Sequence, residues 1–169
     1  MISIRNARDD ETATLREIGV RAWQQAVAPI GATADMHDNA EIAFDNFTRS
    51  SWLTITVAEV NGTVAGWAAR EALDETITDF WIDPPFQRQD VGTALLGEVE
   101  GEILRQGFVT AKLETHARNT DAVGFFEKNG YTINWLSVAY APKLDQDVQS
   151  VGLSKQLAVE EPATYGPDL

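Results

Sequence analysis

The sequence contains no cysteine among its 169 residues. This absence excludes disulfide bonds, thiolate metal sites and a cysteine nucleophile. No apolar run approaches the roughly 18 residues that a membrane-spanning helix needs, and residues 1–8 lack the apolar stretch of a secretion signal. We therefore expect a cytoplasmic protein with no membrane partner.

Basic residues are also scarce, since 13 Lys and Arg face 26 Asp and Glu, which gives a net charge of −13. Such a chain repels the phosphate backbone, and we expect no nucleic-acid partner. The acidic residues are scattered, so they serve either solubility or an acidic cleft that attracts a cationic substrate such as an amine. The two histidines, His37 and His116, have no second ligand at metal spacing, and no metal is predicted.

The length and the 44% hydrophobic content predict one domain with its own core. We expect this domain to cover residues 1–157. Residues 158–169, which include Pro162, Gly166 and Pro167, are expected to form a flexible tail.

Hydrophobic periodicity predicts alternating helices and strands. Strands are predicted at residues 2–8, 52–58, 64–69, 76–82, 110–115, 133–140 and 150–156. Helices are predicted to begin at residue 12, to span residues 91–106 and to begin again at residue 119 or 120. Residues 28–51 are less regular, and we expect them to contain a short helix and a loop over a cleft. The Asn61-Gly62 pair indicates a tight hairpin. The fold class is therefore α/β, in the α+β sense, with mostly antiparallel strand pairs.

One segment combines a strand end, a polar loop and a helix start. The strand residues Phe80, Trp81 and Ile82 are followed by prolines, then by a loop and helix start formed by Gln87, Arg88, Gln89, Asp90, Val91, Gly92 and Thr93. Unpaired N–H groups in the first helical turn and the helix dipole together favour an anion there. The pattern predicts a phosphate site.

A second motif follows the next strand. It runs from Asn119 through Ala122, Phe125 and Phe126 to Gly130 and Tyr131. The two motifs and the order of the elements over residues 2–157 resemble the GNAT superfamily of N-acetyltransferases, which transfer an acetyl group from acetyl-CoA to an amine. The resemblance implies a twisted, mostly antiparallel sheet of about seven strands flanked by about four helices.

The resemblance also implies how acetyl-CoA is held. The loop amides from Arg88 to Thr93 would bind the CoA diphosphate, Gln87 belongs to the same cofactor-binding motif, and the backbone of Phe80, Trp81 and Ile82 would pair with pantetheine. An N–H near Trp81 or Ile82 would polarise the acetyl carbonyl. Phe125 is implied as a cofactor contact. Asn119 is implied either to contact the pantetheine end or to cap the short helix.

Two positions depart from the family pattern. Asp90 stands where glycine is most frequent, so we expect it to cap the helix or to supply a positive φ, with its carboxylate turned from the ligand and cofactor binding weakened. Phe126 stands where many members carry the tyrosine that protonates the departing thiolate. Water or a hydroxyl of Tyr131, Ser137 or Tyr140 would substitute.

The general base is less defined. Glu114 matches a strand position that serves as base in some members, and Asp79, just before the cofactor strand, is the alternative. Proton removal through ordered water, with no single base, also stays open. The predicted function is transfer of an acetyl group to a small cationic molecule or a peptide amine, with an acyl-CoA-binding module that lacks catalysis as the alternative. A homodimer through the last two strands is also expected from the resemblance.

Overall fold

The computed structural model describes residues 1–143 and 145–159, without the side chain of Ala139. Most of the expected tail therefore lies outside the described residues. Seven strands are present: β1 (Ile2–Asn6), β2 (Ile55–Val60), β3 (Thr63–Ala69), β4 (Asp79–Ile82), β5 (Thr110–His116), β6 (Thr132–Ala141) and β7 (Gln146–Gln156). Four α-helices accompany them: α1 (Thr12–Val27), α2 (Ala34–Ser51), α3 (Val91–Arg105) and α4 (Thr120–Lys128).

The strands form two antiparallel sheets rather than one continuous sheet. The first has the order β1-β2-β3-β4 and the second the order β5-β7-β6. A single parallel bridge between Thr76 and Lys112 joins them, supported by a hydrogen bond of 2.8 Å from Ile77 N–H to Lys112 O. The predicted fold class and element count are thus confirmed, and the division between the sheets lies between β4 and β5.

Hydrophobic side chains on both faces of the first sheet form the core. One cluster joins α3 to β5 and β7 and includes Leu95, Val99 and Ile103, the apolar stripe that the sequence predicted. The other joins α1 and α2 to the opposite face around Trp67, whose indole N–H donates to Leu15 O at 2.8 Å. Phe80 and Ile82 of β4 pack against the first cluster, and Trp81 packs against the second. Both helical layers therefore contact β4.

The hairpin between β2 and β3 was predicted at the correct residues. Asn61 and Gly62 have φ values of 51° and 85°. Two successive positive φ values are those of the turn that joins tightly twisted antiparallel strands. The register then places Gly66 opposite Ile82.

Several boundaries differ from the predictions; for example, β7 begins at Gln146 rather than at Ser150, and β1 ends at Asn6 rather than at Arg8. The strand expected at residues 52–58 begins only at Ile55, because Trp52–Thr54 form a 3-10 turn that leaves Leu53 79% exposed. The segment at residues 28–51 is not irregular, since α2 fills most of it after a short turn at Ala28–Ile30. The strand expected at 76–82 is ladder-paired only over Asp79–Ile82. None of the helices in the described segments is long and apolar enough to cross a membrane.

The close approach of β3 to β4 generates a stability prediction. A Cβ added at Gly66 would lie 2.8 Å from Trp81 O and 2.7 Å from Ile82 Cδ1. We expect Gly66→Ala to lower the free energy of unfolding by about 1–3 kcal/mol through overpacking. Urea denaturation measures this change.

Gly97→Ala is the matched control. Gly97 is exposed on α3 and an added Cβ would meet nothing within 4 Å. Alanine favours a helix over glycine, so this variant should gain up to about 1 kcal/mol. Equal effects of the two substitutions would contradict the role given to Gly66.

Candidate active site

The strands β4 and β5 are not paired with each other, and the space between them is called the gap. Within the described segments, β4 pairs only with β3, and the two sheets share a backbone bridge only at Thr76 and Lys112. Asp83 N–H donates to Ala65 O at 2.8 Å, and Trp81 lies opposite Trp67. Because hydrogen-bonded pairs alternate along an antiparallel ladder, the backbone groups of Phe80 and Ile82 point away from β3. The free edge is therefore formed by these two residues.

The loop after β4 has an unusual backbone. Arg88 and Asp90 have φ values of 62° and 67°. Asp90 occupies the N-cap position of α3, but its side chain makes no capping hydrogen bond. The expectation that the Asp90 side chain caps the helix is therefore wrong. The positive φ is confirmed, and aspartate adopts this backbone region more readily than most residues.

This backbone leaves a row of donors without partners. The first helical bond is donated by Ala94 N–H to Asp90 O at 3.0 Å. Among the described residues, no acceptor lies opposite the N–H groups of residues 88–93. Arg88, Gln89, Asp90 and Thr93 are exposed, so the row is accessible. Successive N–H groups in such turns form a concavity that binds anions.

The side chain of Gln87 is directed back to the protein. Its Nε2 donates to Ile82 O at 3.0 Å and to Gln25 Oε1 on α1 at 2.7 Å. Gln89 Nε2 similarly donates to Pro85 O at 3.0 Å. Both glutamine side chains therefore support the loop in this structure.

Gly92 has a packing role. A Cβ added there would lie 3.1 Å from the Phe125 ring. Phe125 in turn packs against Phe80 with ring centroids 5.6 Å apart, and Phe126 lies 5.4 Å from Phe80. These rings connect β4, the start of α3 and α4 on one face of the gap.

Of the alternatives for Asn119, side-chain capping is wrong. Asn119 precedes α4, but its side chain makes no capping hydrogen bond. Its Nδ2 instead donates to Thr115 Oγ1 at 3.2 Å. The contact with a pantetheine group stays a prediction.

The two candidate bases lie on the same face of neighbouring strands. Phe80 on β4 and Leu113 on β5 belong to the α3-side cluster, so Asp79 and Glu114, one residue away on each strand, point to the other face. Both carboxylates that the sequence singled out therefore lie on the face of their strands that points away from α3.

Their surroundings differ. Glu114 is exposed, opposite Gly152 in the register of β5 and β7. Asp79 is half-buried and accepts a hydrogen bond of 3.0 Å from the Trp81 indole. Burial raises the pKa of the Asp79 carboxyl above its usual value, although the Lys143 charge and the Trp81 hydrogen bond act in the opposite direction.

Two of the three hydroxyls proposed to replace the missing tyrosine are engaged elsewhere. Phe126 and Tyr131 are buried, and Tyr131 donates to Glu100 Oε2 at 2.8 Å. Burial and Glu100 raise the pKa of Tyr131. Tyr140 donates to Asp145 at 2.5 Å. Ser137 lies on an exposed part of β6, in the row that also contains Ser150 and His116.

Sequence reasoning missed the contacts that hold the loop from α1. Arg21 binds the buried Asp83 through two hydrogen bonds of 2.9 and 3.0 Å, and Gln25, one helical turn further, binds Gln87. Asp83 lies directly between β4 and the loop. No local pattern could reveal these pairs, since 62 residues separate the partners in each.

Solved structures share this fold. A GCN5-related N-acetyltransferase from Rhodopseudomonas palustris aligns with a TM-score of 0.76 and 19% identity, over 92% of this chain and 95% of that one. The PaiA N-acetyltransferase of Thermoplasma acidophilum, solved in complex with coenzyme A, aligns with a TM-score of 0.72 and 20% identity, over 92% and 99%.

Similarity in sequence covers a shorter stretch. The ribosomal protein bS18-alanine N-acetyltransferase of Escherichia coli K12 is 34% identical over 87 residues, which is 50% of this chain and 59% of that protein. The chain thus spans less than two thirds of this curated relative. The profile of the acetyltransferase (GNAT) family matches residues 14–131. The chain therefore belongs to the GNAT acetyltransferase family.

Proposed function

We propose that this protein transfers the acetyl group of acetyl-CoA to a primary amine by direct attack. The observation that carries the proposal is the row of partnerless N–H groups at residues 88–93, placed at the end of a strand with a free edge. A diphosphate fits the row, and an extended amide chain fits the edge. Family membership supports the same ligand.

The cofactor contacts follow from this arrangement. The amides of residues 88–93 bind the diphosphate, and the exposed Arg88 side chain adds a positive charge. Phe80 and Ile82 pair with pantetheine through their backbone, and the Ile82 N–H is the candidate for polarising the acetyl carbonyl. The exposed Asp90 carboxylate repels the diphosphate, so its charge weakens binding to an extent that solvent limits.

The chemical step needs a neutral amine. The amine nitrogen attacks the thioester carbon, the carbon–sulfur bond breaks, and the sulfur leaves as a thiolate while the amine loses a proton. Glu114 is the proposed base because its side chain is exposed on β5, and Asp79 is the alternative because its raised pKa suits proton uptake. Since the chain has no cysteine, the acetyl group passes to the amine without an enzyme thioester.

A peptide amine is the acceptor that we propose first. The curated relative in Escherichia coli is named for acetylating an alanine of a ribosomal protein, and an excess of carboxylates suits a cationic acceptor. Small cationic amines are the second class.

We expect acetyl-CoA at 1,000 times its Kd to stabilise the protein by about 4 kcal/mol, measured as a rise in Tm. Release of CoA thiol is then followed across a panel of N-terminal peptides and small amines. Thiol release with either class supports the proposal. Binding without release across the panel supports the acyl-CoA-binding module instead, and the absence of any shift in Tm contradicts both functions.

The two carboxylates are separated by isosteric variants. We expect Glu114→Gln to lower kcat about 10²- to 10⁴-fold with the acetyl-CoA Kd unchanged, and Asp79→Asn to have a smaller effect. If Asp79 is the base, the order reverses and the acid limb of the wild-type rate profile lies above the ordinary carboxyl pKa of about 4. Nearly normal rates in both variants would leave water as the proton acceptor.

A homodimer through β6 is a second part of the proposal. Its outer edge pairs with no strand of the described segments, and residues 132–141 contain neither a charge nor a proline. Large apolar side chains on this strand are exposed, namely Ile133, Trp135, Leu136, Val138 and Tyr140. Long uncharged edges pair readily, and in a chain of net charge −13 such a strand is where two copies can approach.

We expect the wild type to sediment as a dimer and Val138→Lys to sediment as a folded monomer, because lysine places a charge at the centre of the paired edge. Leu53→Lys is the control, since Leu53 is equally exposed but lies outside β6. A monomeric wild type, or dissociation by both substitutions, would exclude this interface.

A further inference from the structure

Ile82 O is the point at which the loop, β4 and α1 meet. The carbonyl lies on the free edge of β4, and in this structure it accepts a hydrogen bond from Gln87 Nε2 at 3.0 Å. The same amide group donates to Gln25 Oε1 on α1 at 2.7 Å. One side chain thus fills a position on the edge and links that position to a helix of the other layer.

An extended ligand on this edge needs the same oxygen. A strand or amide chain that pairs with an edge uses the N–H and C=O groups of alternate residues, here Phe80 and Ile82. Pantetheine carries two amide N–H groups that require acceptors. On the side away from β3, the backbone acceptors of β4 are Phe80 O and Ile82 O. The Gln87 side chain already donates to Ile82 O.

We propose that the Gln87 amide is an internal substitute for a ligand amide at Ile82 O, and that acetyl-CoA displaces it on binding. This inference rests on the proposed function. When Gln87 leaves Ile82 O, its contact with Gln25 is also broken or redirected, so cofactor binding alters a contact of α1. Gln87 is thus a positioning residue rather than a catalytic one.

A second contact keeps α1 in place during this exchange. Arg21, one turn before Gln25, remains bound to the buried Asp83 through two charge-assisted hydrogen bonds. Asp83 precedes the loop and its carboxylate would otherwise be buried without a counter-charge. The ion pair therefore anchors the start of the loop, whereas the amide pair of Gln25 and Gln87 is the part that changes.

The test measures binding rather than turnover. Gln87→Met keeps an unbranched side chain of similar length but removes the donor. Displacement is then no longer needed, and we expect the affinity for acetyl-CoA to rise between about twofold and tenfold, the range of one net hydrogen bond. The affinity for 3′-phospho-ADP, which is the nucleotide half of CoA without pantetheine, should stay within twofold of wild type.

Gln25→Met is the matched control, because it removes the contact with α1 and leaves the donor at Ile82 O. We expect its acetyl-CoA affinity to stay within twofold of wild type. Three results would overturn the inference: weaker binding of both ligands to Gln87→Met, no change in either ligand, or an equal gain in Gln25→Met. If wild type binds neither ligand, the proposed function itself fails, which is a separate outcome.

Discussion

The site depends on the separation of β4 from β5. Backbone N–H and C=O groups must find partners, and an unpaired edge in the middle of a structure has a cost unless water or a ligand reaches it. Here the segment before β4 forms a bridge with β5 at Thr76 and Lys112, and the two strands themselves belong to different sheets. One hydrophobic cluster with α3 at its centre contains residues of both sheets, and a second cluster packs α1 and α2 against the other face of the first sheet.

Local sequence patterns were sufficient to predict those parts of the fold that depend only on a few residues close together in the sequence. The apolar stripe of α3 and the Asn61-Gly62 turn are of this kind, because burial on one helix face and a positive φ are each specified by a few neighbouring residues. The loop of residues 88–93 belongs with them. Its free donors are a necessary feature of a helix start that lacks a side-chain cap.

Local patterns failed where tertiary packing decides. Leu53 alternates correctly for a strand, but the chain turns at Trp52–Thr54 before β2 begins. The polar residues of α2 made its segment look irregular, although only Ala40, Phe44 and Thr48 need to be buried on its inner face. The Arg21–Asp83 pair joins residues that are remote in the sequence. The carboxylates Asp79 and Glu114 could be named from sequence, but the burial of Asp79 and its hydrogen bond from the Trp81 indole depend on tertiary packing.

The β6–β7 turn brings Lys143 within 4.8 Å of the Phe44 ring centroid and near the Asp79 carboxyl. Lys143 thus places a positive charge beside Asp79 from a stretch of chain that has no part in the free edge or in the loop before α3. Substitutions at Lys143 can accordingly change the charge beside Asp79 while the loop backbone of residues 88–93 stays unchanged. Under the proposed function, the surroundings of the acceptor and the backbone that holds the cofactor are therefore encoded by different stretches of chain and can vary separately in evolution.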